Sequence, residues 1–128
     1  MLINPSIIFL DEPTTGLDST TSLNLIKFLN KLAKQGRTVI STIHQPSSEI
    51  FMEFDHIMLM VEGHIIYDGQ AQKSMAYFSK IGFPVPIHTN PTDHYMKLLN
   101  KEGLMLQKIE KKIDFTDESI KEEFDQVV

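Results

Sequence analysis

Cysteine is absent from all 128 residues. Disulfides and thiolate metal sites are thereby excluded, and a reducing compartment is compatible with the chain. Basic charge is scarce as well. Lys and Arg number 12 against 17 Asp and Glu, a formal net charge of -5. No global field therefore draws the chain to nucleic acid. Long apolar runs are also missing. Stretches such as Ile57 to Val61 fall far short of the roughly 18 residues that span a bilayer. The opening MLINPSIIFLDEP has no basic n-region and no small-residue cleavage site, which speaks against a signal peptide. The chain is expected to be soluble, or to sit on the soluble side of a membrane protein. What is present is ordinary for a folded chain: 41% hydrophobic and 23% charged residues. The length suits one small domain or part of a larger one.

The pattern along the chain alternates strand and helix. Residues 7–10, IIFL, form a continuous apolar run, which predicts a parallel strand covered on both faces. Residues 18–35 predict a helix. Leu25, Ile26, Leu29, Leu32 and Ala33 make its apolar stripe. Asp18 or Ser19 caps its start, Lys31 and Lys34 suit its last turn, and Gly36 ends it. Thr38 to Ile43, β-branched and apolar, predicts a second buried strand. Strand, helix, strand is a βαβ unit with parallel strands and a right-handed crossover.

Further on, Ser47 or Ser48 caps a short helix reaching Phe54. HIMLMV and HIIYDG, joined by Glu62-Gly63, predict a tight hairpin. Residues 70–81 predict a helix that offers Met75, Tyr77, Phe78 and Ile81 for burial. A proline-rich loop follows, and then a last helix from Pro91 to Asn100, with Asn90 as its cap. From Lys101 to Val128 the chain is charge-dense with thin apolar support, and predicts a linker or tail.

The βαβ reading bears on chemistry. Parallel strands end at one edge of the sheet, where open α/β sheets bind ligands. Asp11 and Glu12 end the first strand and His44 ends the second. Adjacent carboxylates repel, and each loses hydration if drawn toward a core. A bound cation offsets both effects. The pattern suits nucleoside triphosphate hydrolysis. The first carboxylate holds Mg²⁺ through its water shell, and the second orients or deprotonates the attacking water. The histidine donates to the γ-phosphate.

These residues carry a resemblance. IIFLDEP is similar to the Walker B motif of ATP-binding-cassette (ABC) ATPases, and TTGLDS to the D-loop that follows it. STIHQPSSEIF resembles the switch-histidine region, in wording typical of the G subfamily of ABC transporters, the white-eye-pigment and sterol or multidrug exporter group. EGHIIYDGQAQKSMAYFSKIGFPVPIHTNPTDHYMKLL resembles the segment that closes that subfamily's nucleotide-binding domain. Its Asn90-Pro91-Thr92-Asp93 matches an NPxD element found there, with His94 where the family more often has Phe. The resemblance covers about residues 2–100.

The resemblance implies a P-loop NTPase-like α/β fold, of which residues 1–100 are the C-terminal half and residues 101–128 the linker or tail. It implies ATP and Mg²⁺ as cofactors. Asp11 takes the metal, Glu12 and His44 are catalytic, and Asp18 and Gln45 lie at the nucleotide. It implies partners: a second ATPase domain in an opposed dimer, and the transporter's transmembrane domain. The place implied is the cytoplasmic face of a membrane.

Parts of the family pattern are missing. The chain has no GxxxxGK[ST], whose backbone N–H groups and lysine cradle phosphates, and no Q-loop or LSGGQ-like signature. The isolated chain is therefore expected not to hydrolyse ATP, and its parallel strands to lack neighbours. Two other readings stand beside the transporter. One is a non-catalytic interaction module or remnant, and the other a soluble ABC ATPase.

Simpler roles are assigned elsewhere. His56, His64, His88 and His94 lack metal-ligand spacing and read as structural or exposed. Met52, Met58, Met60 and Met75 read as core filler.

Overall fold

The computed structural model describes residues 4–99. The segment read as a linker or tail, 101–128, lies outside the described residues. The chain divides after Glu53 into two compact units. Each holds its own two-stranded sheet.

In the first unit, β1 (Ile7–Asp11) pairs in parallel with β2 (Thr38–Thr42). The register sets Ile7 opposite Thr38 and Asp11 opposite Thr42. Helix α1 (Ser19–Lys34) connects them. It starts where a side chain can satisfy an orphan amide. Asp18 Oδ1 accepts the Thr21 backbone N–H at 2.7 Å, an N-cap. It ends at Gly36, whose φ of 92° suits a residue without Cβ. Ile26 and Leu29 are buried, while Leu25, Leu32 and Ala33 are half-buried. The short helix α2 (Ser48–Met52) is capped by Ser47, whose side chain accepts the Ile50 N–H at 3.3 Å. Ile50 and Phe51 are buried. Asn30 of α1 donates to the Glu53 carbonyl at 3.1 Å and to its carboxylate at 3.2 Å.

The strands form where the sequence places them, but they are not covered on both faces. Side chains alternate across a strand. Ile8, Leu10, Val39 and Ser41 are half-buried. The opposite face carries Ile7, Phe9 and Ile40, all exposed, with Phe9 at 73%. A continuous apolar run states what a strand can bury, while covering it takes a second layer. Among the described residues nothing covers that face. Leaving such a side chain in water forgoes roughly 1.5–3 kcal/mol of burial.

In the second unit, β3 (His56–Val61) and β4 (His64–Gln70) form an antiparallel hairpin. Its turn residues Glu62 and Gly63 have φ of 47° and 80°. Positive φ at both is the requirement of a type I′ turn, whose twist matches that of the strands. Two helices follow, α3 (Ala71–Lys80) and α4 (Pro91–Leu99). The core gathers Ala71, Ser74, Phe78, Ile81 and Tyr95. Phe78 stacks on Tyr95 with ring centroids 4.4 Å apart. The Ser74 and Tyr95 hydroxyls hydrogen-bond at 2.9 Å. Burial pushes the Tyr95 hydroxyl above the usual tyrosine range, and the Ser74 bond opposes the shift. Asn90 caps α4 as expected, its Oδ1 accepting the Thr92 N–H at 3.1 Å and the Thr92 hydroxyl at 2.7 Å.

The four methionines do not fill the core. Met52, Met58, Met60 and Met75 are all exposed. The period-2 alternation of β3 turns Met58 and Met60 outward, while Ile57, Leu59 and Val61 are half-buried. His56 is exposed and pairs with Asp68 at 2.5 Å. His64 and His88 are exposed, and His94 is half-buried with its ring nitrogen 3.4 Å from the Phe83 carbonyl oxygen.

Candidate functional site

The acid pair lies where β1 leaves the sheet. Asp11 is the last residue of β1 and stands opposite Thr42, the last of β2. The Thr42 hydroxyl donates to Asp11 Oδ1 at 2.6 Å. The Glu12 backbone N–H donates both to the Thr42 carbonyl oxygen at 3.1 Å and to its hydroxyl oxygen at 2.9 Å. The chain then turns back on itself. The Thr15 N–H donates to the Glu12 carbonyl at 3.1 Å, and the Thr15 hydroxyl to Glu12 Oε2 at 3.3 Å. Asp18 follows, at the start of α1.

The exit of β2 is built in a similar way. His44 and Gln45 follow Ile43, and the chain passes buried Pro46 to the Ser47 cap of α2. Both exits bend at a non-glycine residue in the left-handed region. Glu12 has φ of 44° and Gln45 has φ of 45°. Such a conformation costs about 1–3 kcal/mol and occurs preferentially at functional sites. The topology thus brings Asp11 and Glu12 to the edge that β2 leaves toward His44 and Gln45.

Asp11, Glu12, His44 and Gln45 are all exposed. This corrects one premise of the sequence reading. The acids keep their hydration, because the strand that carries them is itself uncovered. The Thr42 hydroxyl stabilises the negative charge on Asp11. Thr42 and Thr15 do not stand out in the sequence. Their only signal was a hydroxyl at a strand end and another in a turn, and both residue types are common there for local reasons.

Asp18 is engaged as a cap. The Thr21 backbone N–H, joined by the Thr21 side chain, holds its carboxyl below the usual carboxylate range. A depressed folded-state value contributes stability above the unfolded value, near pH 4. That stability is lost as pH falls through the folded value. Asp18→Asn keeps an acceptor at the cap but removes the titration. The variant should therefore lose less α1 helicity than the wild type on acidification, read by circular dichroism. Identical acid titrations of the two chains would contradict this.

Among the described residues no group of three or more His, Cys, Asp or Glu side chains gathers to hold a metal ion. A fully dehydrated protein cage is thus not what this edge forms. Mg²⁺ does not need one, since it keeps several waters and binds through one or two carboxylates plus substrate phosphates. Asp11 fits that requirement, with Oδ1 held by Thr42 and Oδ2 outside that bond.

A family model described as ABC-2 type transporter matches residues 44–122. Three curated proteins are similar to the chain. ABC transporter G family member 14 of Arabidopsis thaliana is 50% identical over 100 residues, 78% of this chain and 15% of that protein. ATP-binding cassette sub-family G member 8 of Homo sapiens is 51% identical over 98 residues, 77% of this chain and 15% of that protein. ABC transporter G family member 1 of Dictyostelium discoideum is 47% identical over 102 residues, 80% of this chain and 13% of that protein. The chain belongs to the G family of ABC transporters. It spans 13 to 15% of the length of these relatives. The family match is to a transporter of the membrane type and not to its ATPase part. No helix among the described residues is long and apolar enough to cross a membrane.

Proposed function

We propose that residues 1–100 are the C-terminal part of a P-loop NTPase-like nucleotide-binding domain in a G-family transporter. In that transporter, ATP hydrolysis drives export of a hydrophobic or lipid-like substrate. The domain pairs with a second one across the nucleotide, serves a transmembrane domain, and lies at the cytoplasmic face of the membrane.

One observation carries this reading. Parallel pairing in the register Asp11 opposite Thr42 puts an acid pair at a strand end, and the neighbouring strand leads on to a histidine. Asp11 would hold Mg²⁺ through its water shell. Mg²⁺, when bound, supplies positive charge against the phosphates. Glu12 would orient the attacking water and take its proton, with its carboxylate steadied by Thr15. His44 would donate to the γ-phosphate. Asp18 would fix the loop that faces the second domain, and Gln45 would lie beside the nucleotide.

The chain alone supplies the acid and histidine side of such a site and no phosphate-cradling loop. The isolated 128-residue chain should therefore show no Mg²⁺-dependent ATP hydrolysis above buffer. Replacing the matching stretch of the Arabidopsis relative with residues 2–100 should give a chimaera that hydrolyses ATP with Mg²⁺. A chimaera that folds and binds ATP but does not turn it over would overturn the ATPase reading. It would favour a non-catalytic module instead.

A further inference from the structure

We infer that Thr42 is a positioning residue for the acid pair, its hydroxyl fixing the Asp11 carboxylate, which would hold a hydrated Mg²⁺, beside the Glu12 backbone. The inference rests on the ATPase reading above.

The hydroxyl makes two bonds at once. It donates to Asp11 Oδ1 at 2.6 Å and accepts from the Glu12 N–H at 2.9 Å. A hydroxyl carries one proton and two lone pairs, so the two roles do not compete. The bond to the carboxylate is charge-assisted, and therefore short and strong for its kind. It matters here because Asp11 is exposed. An exposed aspartate without a partner samples several rotamers in water. The Thr42 bond selects one, and a preset rotamer is what a metal-holding group needs. The same atom links the two strand exits: β1 continues into Glu12, and β2 continues toward His44.

The geometry separates positioning from folding. The Glu12 N–H also donates to the Thr42 carbonyl oxygen at 3.1 Å. Removing the hydroxyl therefore leaves the backbone ladder between β1 and β2 in place. Thr42→Val preserves shape and β-branching and deletes only the hydroxyl. Thr42→Ser keeps the hydroxyl and deletes a methyl group.

The first readout uses the full 128-residue chain without nucleotide. Scalar couplings about χ1 of Asp11, measured by NMR, should report one dominant rotamer in the wild type and in Thr42→Ser. They should report averaging in Thr42→Val. The second readout uses the chimaera. The Mg²⁺ concentration for half-maximal ATP hydrolysis should rise about 10-fold or more in Thr42→Val, the range seen when an outer-shell partner is lost. Thr42→Ser should restore it. An Asp11 rotamer unchanged by Thr42→Val overturns the inference. So does an averaged rotamer with an unchanged Mg²⁺ requirement. A Glu12→Gln control separates the two levels. If that control leaves hydrolysis intact, the part of the ATPase reading that gives Glu12 the water's proton is what fails. If it abolishes hydrolysis while Thr42→Val behaves as wild type, only the positioning role fails.

Discussion

Phe78→Ala should destabilise the second unit by about 3–5 kcal/mol, the usual range for deleting a buried aromatic ring. Phe78 is fully buried. Its ring stacks on Tyr95 at 4.4 Å, meets Tyr77 edge-on at 5.2 Å, and tilts against Tyr67 at 6.3 Å. Truncation removes both the transfer energy of the ring and the support of its aromatic neighbours. Small domains are stable by only about 5–15 kcal/mol, so the loss is a large share of the total. The measurement is convenient. The chain has no tryptophan and 3 tyrosines, Tyr67, Tyr77 and Tyr95, all after Phe54. Tyrosine fluorescence in a urea titration therefore reports on this unit alone. A loss under about 1 kcal/mol would mean that the site collapses around the cavity and that the cluster is not the organising core.

Glu12→Gln should lower ATP hydrolysis in the chimaera by about 10²–10⁴-fold, the contribution of a positioned acid–base group. The substitution is suited to the question. Glu12 is tied to the fold through its backbone, whose N–H meets Thr42 and whose carbonyl meets Thr15. Those bonds do not depend on the side-chain charge. The amide oxygen of glutamine can still accept the Thr15 hydroxyl, so the side chain has reason to stay in place. The capacity to take a proton is what disappears. Nucleotide binding, followed with a fluorescent ATP analogue, should persist while turnover is lost. Hydrolysis within about threefold of the wild type would remove Glu12 from the chemistry.

Much of the local structure is legible in the sequence, for identifiable reasons. Asp18, Ser47 and Asn90 each announce a helix start, because a short polar side chain can reach an amide that has no partner inside the helix. Glu62-Gly63 announces the hairpin, because few residue pairs accept positive φ twice in succession. The acid pair and His44 are legible as candidates because parallel strands end on one side. Burial is less legible. Phe9 and Ile40 read as core, and Met58 and Met60 read as core. All four are exposed, since a run of apolar residues does not specify how many layers surround it. The hydroxyl link through Thr42 is invisible for a different reason. It depends on the register between two strands distant in sequence, and a one-residue slip would abolish it. The pairing of β1 with β2, and not either strand alone, creates the contact.

Under the proposed function, the bends at Glu12 and Gln45 set folding and chemistry against each other. At each of these positions glycine would relax the backbone. Selection for thermal resilience alone would drift toward glycine at both sites, trading the carboxylate and the amide for a slacker chain. Under the proposed function, side chains retained there would be a stability–activity compromise. An effort to harden this segment should therefore leave both corners untouched and work on the second unit instead.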